Sequence, residues 1–247
     1  VTAHIEDPDS LASATLRYRV DPATNWSSAP LSYRGAGFYS GVIPGQPTGA
    51  LVAFYLEASD AHTDTQVSQF PADAPARECL VRFGETPASG ALGAYRLWVT
   101  QRNVTRWATR EKQSNDPLDA TFVYGHSRVC YNVGTLYSGS PWHTPGYNSP
   151  AGNPCDYEVN FPNDDRFLGE ADVVLATIGN LHSDPTYQGE QASFWIGRQL
   201  GAPYLHRRHI RMFFNGTQRG TLYEDAQQPN RAVIRQFYPN DDAGDLH

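Results

Sequence analysis

Of the 19 basic residues in this chain of 247, one is a lysine, Lys112. Its cationic chemistry is therefore arginine chemistry, and a lysine that holds a phosphate has a single possible source. Cysteines are three: Cys79, Cys130 and Cys155. So small and odd a count excludes a disulfide framework and a paired CxxC metal knuckle; one bond, such as Cys130 to Cys155, stays open. No apolar run approaches the roughly 20 residues of a spanning helix, so no membrane span is expected in this chain. A net charge of −7 gives no basic face for nucleic acid or an anionic membrane. Neither a GxxxxGK[ST] nor a GxGxxG phosphate cradle is present, nor a GxSxG elbow. His206 and His209 stand three apart on an expected strand and face opposite ways, which does not make a zinc pair. No signal peptide opens the chain, and both ends read as cut from a longer polypeptide.

What is present is globular and turn-rich: 40% hydrophobic, 12% aromatic, with 21 glycines and 18 prolines. Residues 1–84 read as an all-β module. Leu16, Tyr18 and Val20 alternate with Arg17 and Arg19, which predicts a strand with one wet face. LVAFYLEASD (51–60) is an apolar run of strand length, and ECLVRF (78–83) closes the module. Short strands at turn-punctuated intervals predict an immunoglobulin- or fibronectin III-like sandwich.

Residues 85–94, ETPASGALGA, read as a linker. YRLWVT (95–100) predicts a strand, and Thr100 predicts the cap of a helix running to Lys112 with Val104, Trp107 and Ala108 on one face. DATFVYG (119–125), RVCYNVGTLYSGS (128–140) and YEVNF (157–161) read as strands; ADVVLAT (171–177) is ambiguous. A longer helix is predicted from Asp184 as N-cap and Pro185 at the first position to Leu200, with Ala192, Trp195, Ile196 and Leu200 as its stripe and Gly201 as its stop. Glu190 lies on a different face, either as a solvated carboxylate or as a functional one. In RMFFNGTQRGTLYED (211–225), Asn215-Gly216 predicts a two-residue type I′ hairpin. Gly220 marks a bulge or a close approach. A short helix is predicted near Asn230. Asp164-Asp165 and NDDAGD (240–245) fit solvated loops better than calcium sites. Asn25, Asn103 and Asn215 each open a weak glycosylation pattern.

The segment 95–247 resembles the CotH family, spore-coat-type proteins with an atypical protein-kinase-like fold. The matching pieces are YNVGTLYSGSPW (131–142), VNFPNDDRFLG (159–169), GEQASFWIGRQLGAPY (189–204), RMFFNGTQRGTLYED (211–225) and QQPNRAVIRQFYPNDDAGDL (227–246), in family order over about 150 residues. The resemblance implies a mixed fold: the N-terminal all-β sandwich followed by an α+β kinase-like small lobe with an antiparallel sheet and one main helix, cut at the C-terminus. It implies a bacterial coat or cell-surface protein, extracellular, with an ATP-dependent Ser/Thr kinase activity or a catalytically inactive scaffold role; the third reading is an extracellular binding module whose N-terminal sandwich contacts glycan or protein. ATP and Mg would be the cofactors and a Ser/Thr-rich protein the substrate.

The family's phosphate-facing turn falls on Gly139 and Ser140, with Ser138 where arginine is usual. Glu190 matches the helix glutamate that pairs with a nucleotide-binding lysine. Leu222-Tyr223-Glu224-Asp225 matches the hinge beside an adenine, which makes Tyr223, Glu224 and Asp225 nucleotide-binding by resemblance. Catalytic carboxylates would follow His247. The segment 153–161 lacks the family's lysines, and Arg128 or Arg166 stands as a possible replacement, although a planar guanidinium does not reproduce an ammonium.

Overall fold

The structure is a computed structural model and describes residues 1–8, 11–61, 66–85, 87, 90–138, 150–152, 155–178 and 184–241. The first eight strands are β1 (Thr2–His4), β2 (Leu11–Val20), β3 (Ser27–Pro30), β4 (Ser32–Gly35), β5 (Phe38–Ser40), β6 (Leu51–Asp60), β7 (Val67–Phe70) and β8 (Cys79–Arg82). They form a three-stranded sheet, β1-β5-β4, and a five-stranded sheet, β3-β2-β6-β7, with β8 also on β6. The apolar run of β6 is central: β2 pairs along one side, while β8 takes residues 51–54 and β7 takes residues 56–59 on the other. Leu16, Leu31, Phe54 and Cys79 form the core there, with Ile5 and Tyr39 packed onto it from the smaller sheet's side.

The rest of the chain comprises β9 (Gly93–Trp98), α1 (Gln101–Thr109), β10 (Leu118–Tyr124), β11 (Arg128–Tyr137), β12 (Tyr157–Asn160), β13 (Asp172–Thr177), α2 (Gly189–Gln199), β14 (Arg207–Phe214), β15 (Thr217–Ala226) and α3 (Arg231–Phe237). Seven of these strands close into a barrel in the order β10-β11-β12-β13-β15-β14-β9. This corrects the expected α+β kinase-like small lobe with an antiparallel sheet and one main helix. The physical reason is β9, which pairs antiparallel with β10 on one side and parallel with β14 on the other. With both partners in place the sheet has no edge.

The barrel interior is filled by aromatic side chains. Trp107 of α1 packs against Tyr137, Tyr157 and Phe214. A second group gathers Phe167 with Tyr95, Phe122, Tyr124 and Phe161. Helix α1 forms as its sequence predicts: Thr100 Oγ1 accepts from the Asn103 amide, and Val104 and Trp107 are buried. It stops at Thr109, short of Lys112.

Helix α2 departs more. It begins at Gly189, not at Pro185, because the Asp184 carboxylate takes the Thr186 and Gly189 amides in a turn of its own. None of its residues is buried, and Trp195, Ile196 and Leu200 face solvent. No helix among the described residues is long and apolar enough to cross a membrane.

The two halves meet in a polar and apolar seam. Arg19 donates to both carboxylate oxygens of Glu78, which is 1% exposed. The Glu78 amide donates to Asp119 Oδ2 at 2.7 Å, and the Leu80 amide to Thr121 Oγ1 at 2.9 Å, so β8 is bound to β10. Leu51, Ala53 and Leu80 share a cluster with Trp98 and Val123. The stretch expected as a linker, 85–94, ends within a strand, since Gly93 and Ala94 belong to β9. Glu85 accepts from Arg82 and from Trp98 Nε1.

Candidate functional site

The site is built on the β14–β15 hairpin. Asn215 and Gly216 hold φ of 46° and 82°, as a type I′ turn requires. From there Phe214 faces Thr217 and Met212 faces Arg219, but Ile210 faces Tyr223. The bulge between them contains Gly220 at φ +55°. It moves the register by two residues, so Arg208 lies opposite Asp225 and His209 opposite Glu224. The faces are preserved and the partners change.

On the interior face, Tyr223 is fully buried. Its hydroxyl donates to the Cys155 carbonyl at 2.9 Å and accepts from the Cys155 amide at 3.2 Å. Asp225 Oδ2 accepts from the Tyr95 hydroxyl and from Arg208 Nη2, each at 2.5 Å. Burial, then the Asp225 charge, push the Tyr95 hydroxyl far above the usual phenol range.

On the exterior face, Arg207 Nη1 lies 3.1 Å from Glu190 Oε2 and 3.3 Å from Glu224 Oε2, with its guanidinium carbon 5.2 Å from the Phe194 ring centroid. Gln191 Nε2 also donates to Glu224. Burial raises the Glu224 carboxyl above its ordinary value; Arg207 opposes the shift and Glu190 adds to it. Asp156 is raised as well, by burial, although it accepts from the Thr177 amide and hydroxyl.

Glu190 and Glu224 thus meet at Arg207 on the exterior face and Asp225 meets Arg208 on the interior one, while Tyr223 is a core residue. Glu224 and Asp225 point to opposite faces of one barrel wall. Their strand is paired on both sides: Thr177 to Val174 of β13 align with Tyr223 to Ala226, and β14 takes the other edge. Gly139 and Ser140 lie outside the described residues, as do 242–245. Arg128 pairs with Asp165, and Arg166 with Asn163, so neither joins Glu190. None of the three cysteines is in a disulfide. Asn103 is buried and donates to the Asp119 carbonyl, which excludes its glycosylation in the folded chain. No His, Cys, Asp and Glu group among the described residues could hold a metal.

Sequence reasoning missed Arg207 and Arg208. The available signal was the pair Arg207-Arg208 at a strand start, whose neighbours must face opposite sides, set against Glu224-Asp225 on the partner strand. Reading that correctly required the bulge. No protein-family model matches the chain, and no curated protein matches it.

Proposed function

We propose that this chain is a non-catalytic structural module of a bacterial surface or coat protein of the CotH kind. The resemblance in the order of its motifs supports the setting. One observation carries the non-catalytic part: the backbone of residues 223–226, the expected adenine hinge, is paired to strands on both sides. A hinge must offer amides and carbonyls at an edge to a base, and an interior barrel strand has none to offer. The nearby cations fit the same reading, since Arg207 is held by Glu190 and Glu224, and Arg208 by Asp225.

A second reading, ATP-dependent phosphotransfer to a Ser/Thr-rich protein with Mg, is favoured by one specific contact. Glu190 of α2 does pair with a cation, Arg207, in the role that the family gives to a lysine. The readings separate in a γ-phosphate transfer assay with a Ser-rich peptide. The structural module transfers none above the rate without protein. Transfer that is abolished by Arg207→Ala, in a variant that still folds, would establish the second reading.

A further inference from the structure

The N-terminal sandwich is open along one side. There β1 ends the sheet β1-β5-β4 and β7 ends the path β3-β2-β6-β7, so each has a strand partner on one side only among the described residues. Between them lies a slot of about 430 Å³. Its floor and its walls differ in kind. From β6 come Phe54, Leu56 and Ala58, every second residue, as a sheet face presents them. Leu56 and Ala58 keep part of their surface exposed. The runs Val1–Ile5 and Ser68–Phe70 instead line the slot residue after residue, as a strand does along its edge.

These edges carry pairing groups. The Gly41 amide donates to the Val1 carbonyl and the Ile5 amide to the Gly37 carbonyl, so Val1, Ala3 and Ile5 turn their backbone toward β5. Thr2 and His4, which alternate with them, turn theirs away from β5. In β7 the Asp60 amide donates to the Gln66 carbonyl, so Val67 and Gln69 turn their backbone away from β6. Sheet edges in water are commonly guarded by charge or proline. Neither Thr-Ala-His of β1 nor Val-Ser-Gln-Phe of β7 contains a lysine, an arginine, a carboxylate or a proline, and Val67 and Phe70 are exposed. A greasy small molecule would cover the floor and leave the edge amides and carbonyls without partners. An extended backbone serves both, because its polar groups point sideways and its alternate side chains point down. The run Val1–Ile5 gives the slot five residues against three from β7, so β1 offers the longer edge.

We propose that this slot takes an extended peptide segment of a partner protein, which pairs with β1 through the backbone of Thr2 and His4 and lays every second, apolar side chain on Leu56 and Ala58. The slot belongs to the sandwich and stands under either reading of the barrel. The test is titration of the chain with the peptide KTVTVTVK, whose valines alternate, and with KTTTVVVK, the same composition in blocks. Calorimetry and amide hydrogen exchange by NMR are the readouts. The alternating peptide is expected to saturate with a Kd of about 0.1 mM or tighter, and the block peptide to bind about tenfold more weakly. At saturation the His4 amide should exchange about tenfold more slowly. His4→Pro removes an amide that faces away from β5 and leaves the β5 ladder in place; it should weaken the alternating peptide about tenfold. Should that variant also lower the Tm, the exchange of the wild-type His4 amide decides alone. Failure of the alternating peptide to saturate overturns the proposal, as do equal binding by the block peptide and saturation with His4 exchange unchanged. A concentration-dependent dimer that the peptide dissociates would make a second copy the occupant and overturn it as well.

Discussion

Asp119 sits where β10 meets β8, with its carboxylate on the Glu78 amide and on Arg77 Nε. Burial nevertheless pushes its carboxyl up to about 6, from an ordinary 3.8. The folded protein therefore holds this proton more tightly than the unfolded chain does. Between about pH 4 and pH 6 the folded state binds more protons, so this group makes stability fall as pH rises. Its ionisation costs the fold about 3 kcal/mol relative to the unfolded chain. Asp119→Asn should flatten the dependence of denaturation midpoint on pH across that window. The Asp119 carboxyl carbon should titrate near pH 6 by NMR, and a midpoint near 4 would contradict the burial argument. The same physics acts on Glu224, where the Glu190 charge adds to burial and Arg207 opposes it. At this scale the candidate site is a set of carboxylates and guanidiniums joined in ion pairs.

Elements show which local rules decided the fold. The Asn215-Gly216 turn was legible because a type I′ turn demands positive φ twice in succession. Gly216 adds a tertiary demand, since a Cβ there would run into the Arg82 guanidinium. Gly216→Ala should cost about 1–2 kcal/mol from the left-handed backbone alone, measured by urea denaturation. The Thr100 cap and a helix start near Asn230 were legible too, and in the structure both side-chain oxygens meet amides two or three residues on. The face of α2 was not. Its stripe of Ala192, Trp195, Ile196 and Leu200 has the spacing of a buried face and yet is exposed, while Phe194 and Gln191 touch the barrel. Periodicity reports that a helix has two faces; it does not report which face meets the sheet. Two tryptophans express the difference. Trp107→Ala, which empties the barrel interior, should cost about 3–5 kcal/mol, and Trp195→Ala should stay within about 0.5 kcal/mol, both read from denaturation midpoints. Equal effects would place α2 in the core. The bulge at Gly220 was half legible: a strand glycine suggested it, but the two-residue shift that sets Arg208 against Asp225 follows from pairing on both sides of β15.

The whole molecule turns on closure and on the seam. Closure joins β9 to β10 and to β14, and residues 93–98 and 207–214 are far apart in sequence. A pattern read along the chain carries no trace of such a contact, which is why the strands were legible and their barrel was not. The seam makes the two halves interdependent, because the Glu78 and Leu80 amides donate to Asp119 and Thr121 across it and Arg77 pairs there with the buried Asp119. Removing the partners of a buried carboxylate is strongly destabilising. The chain should therefore unfold in one calorimetric transition with a calorimetric to van't Hoff enthalpy ratio of about 1; two resolved transitions would show that the seam does not couple the halves.

The functional account stands or falls on whether the β15 strand and its arginines hold a nucleotide. Isothermal titration of this chain with Mg-ATP, run beside Glu190→Ala, tests it most directly. The account predicts no saturable heat from either protein, because the backbone of 223–226 is paired on both sides and Arg207 is held between Glu190 and Glu224. Saturable one-to-one binding by the wild-type chain, lost in Glu190→Ala, would contradict it.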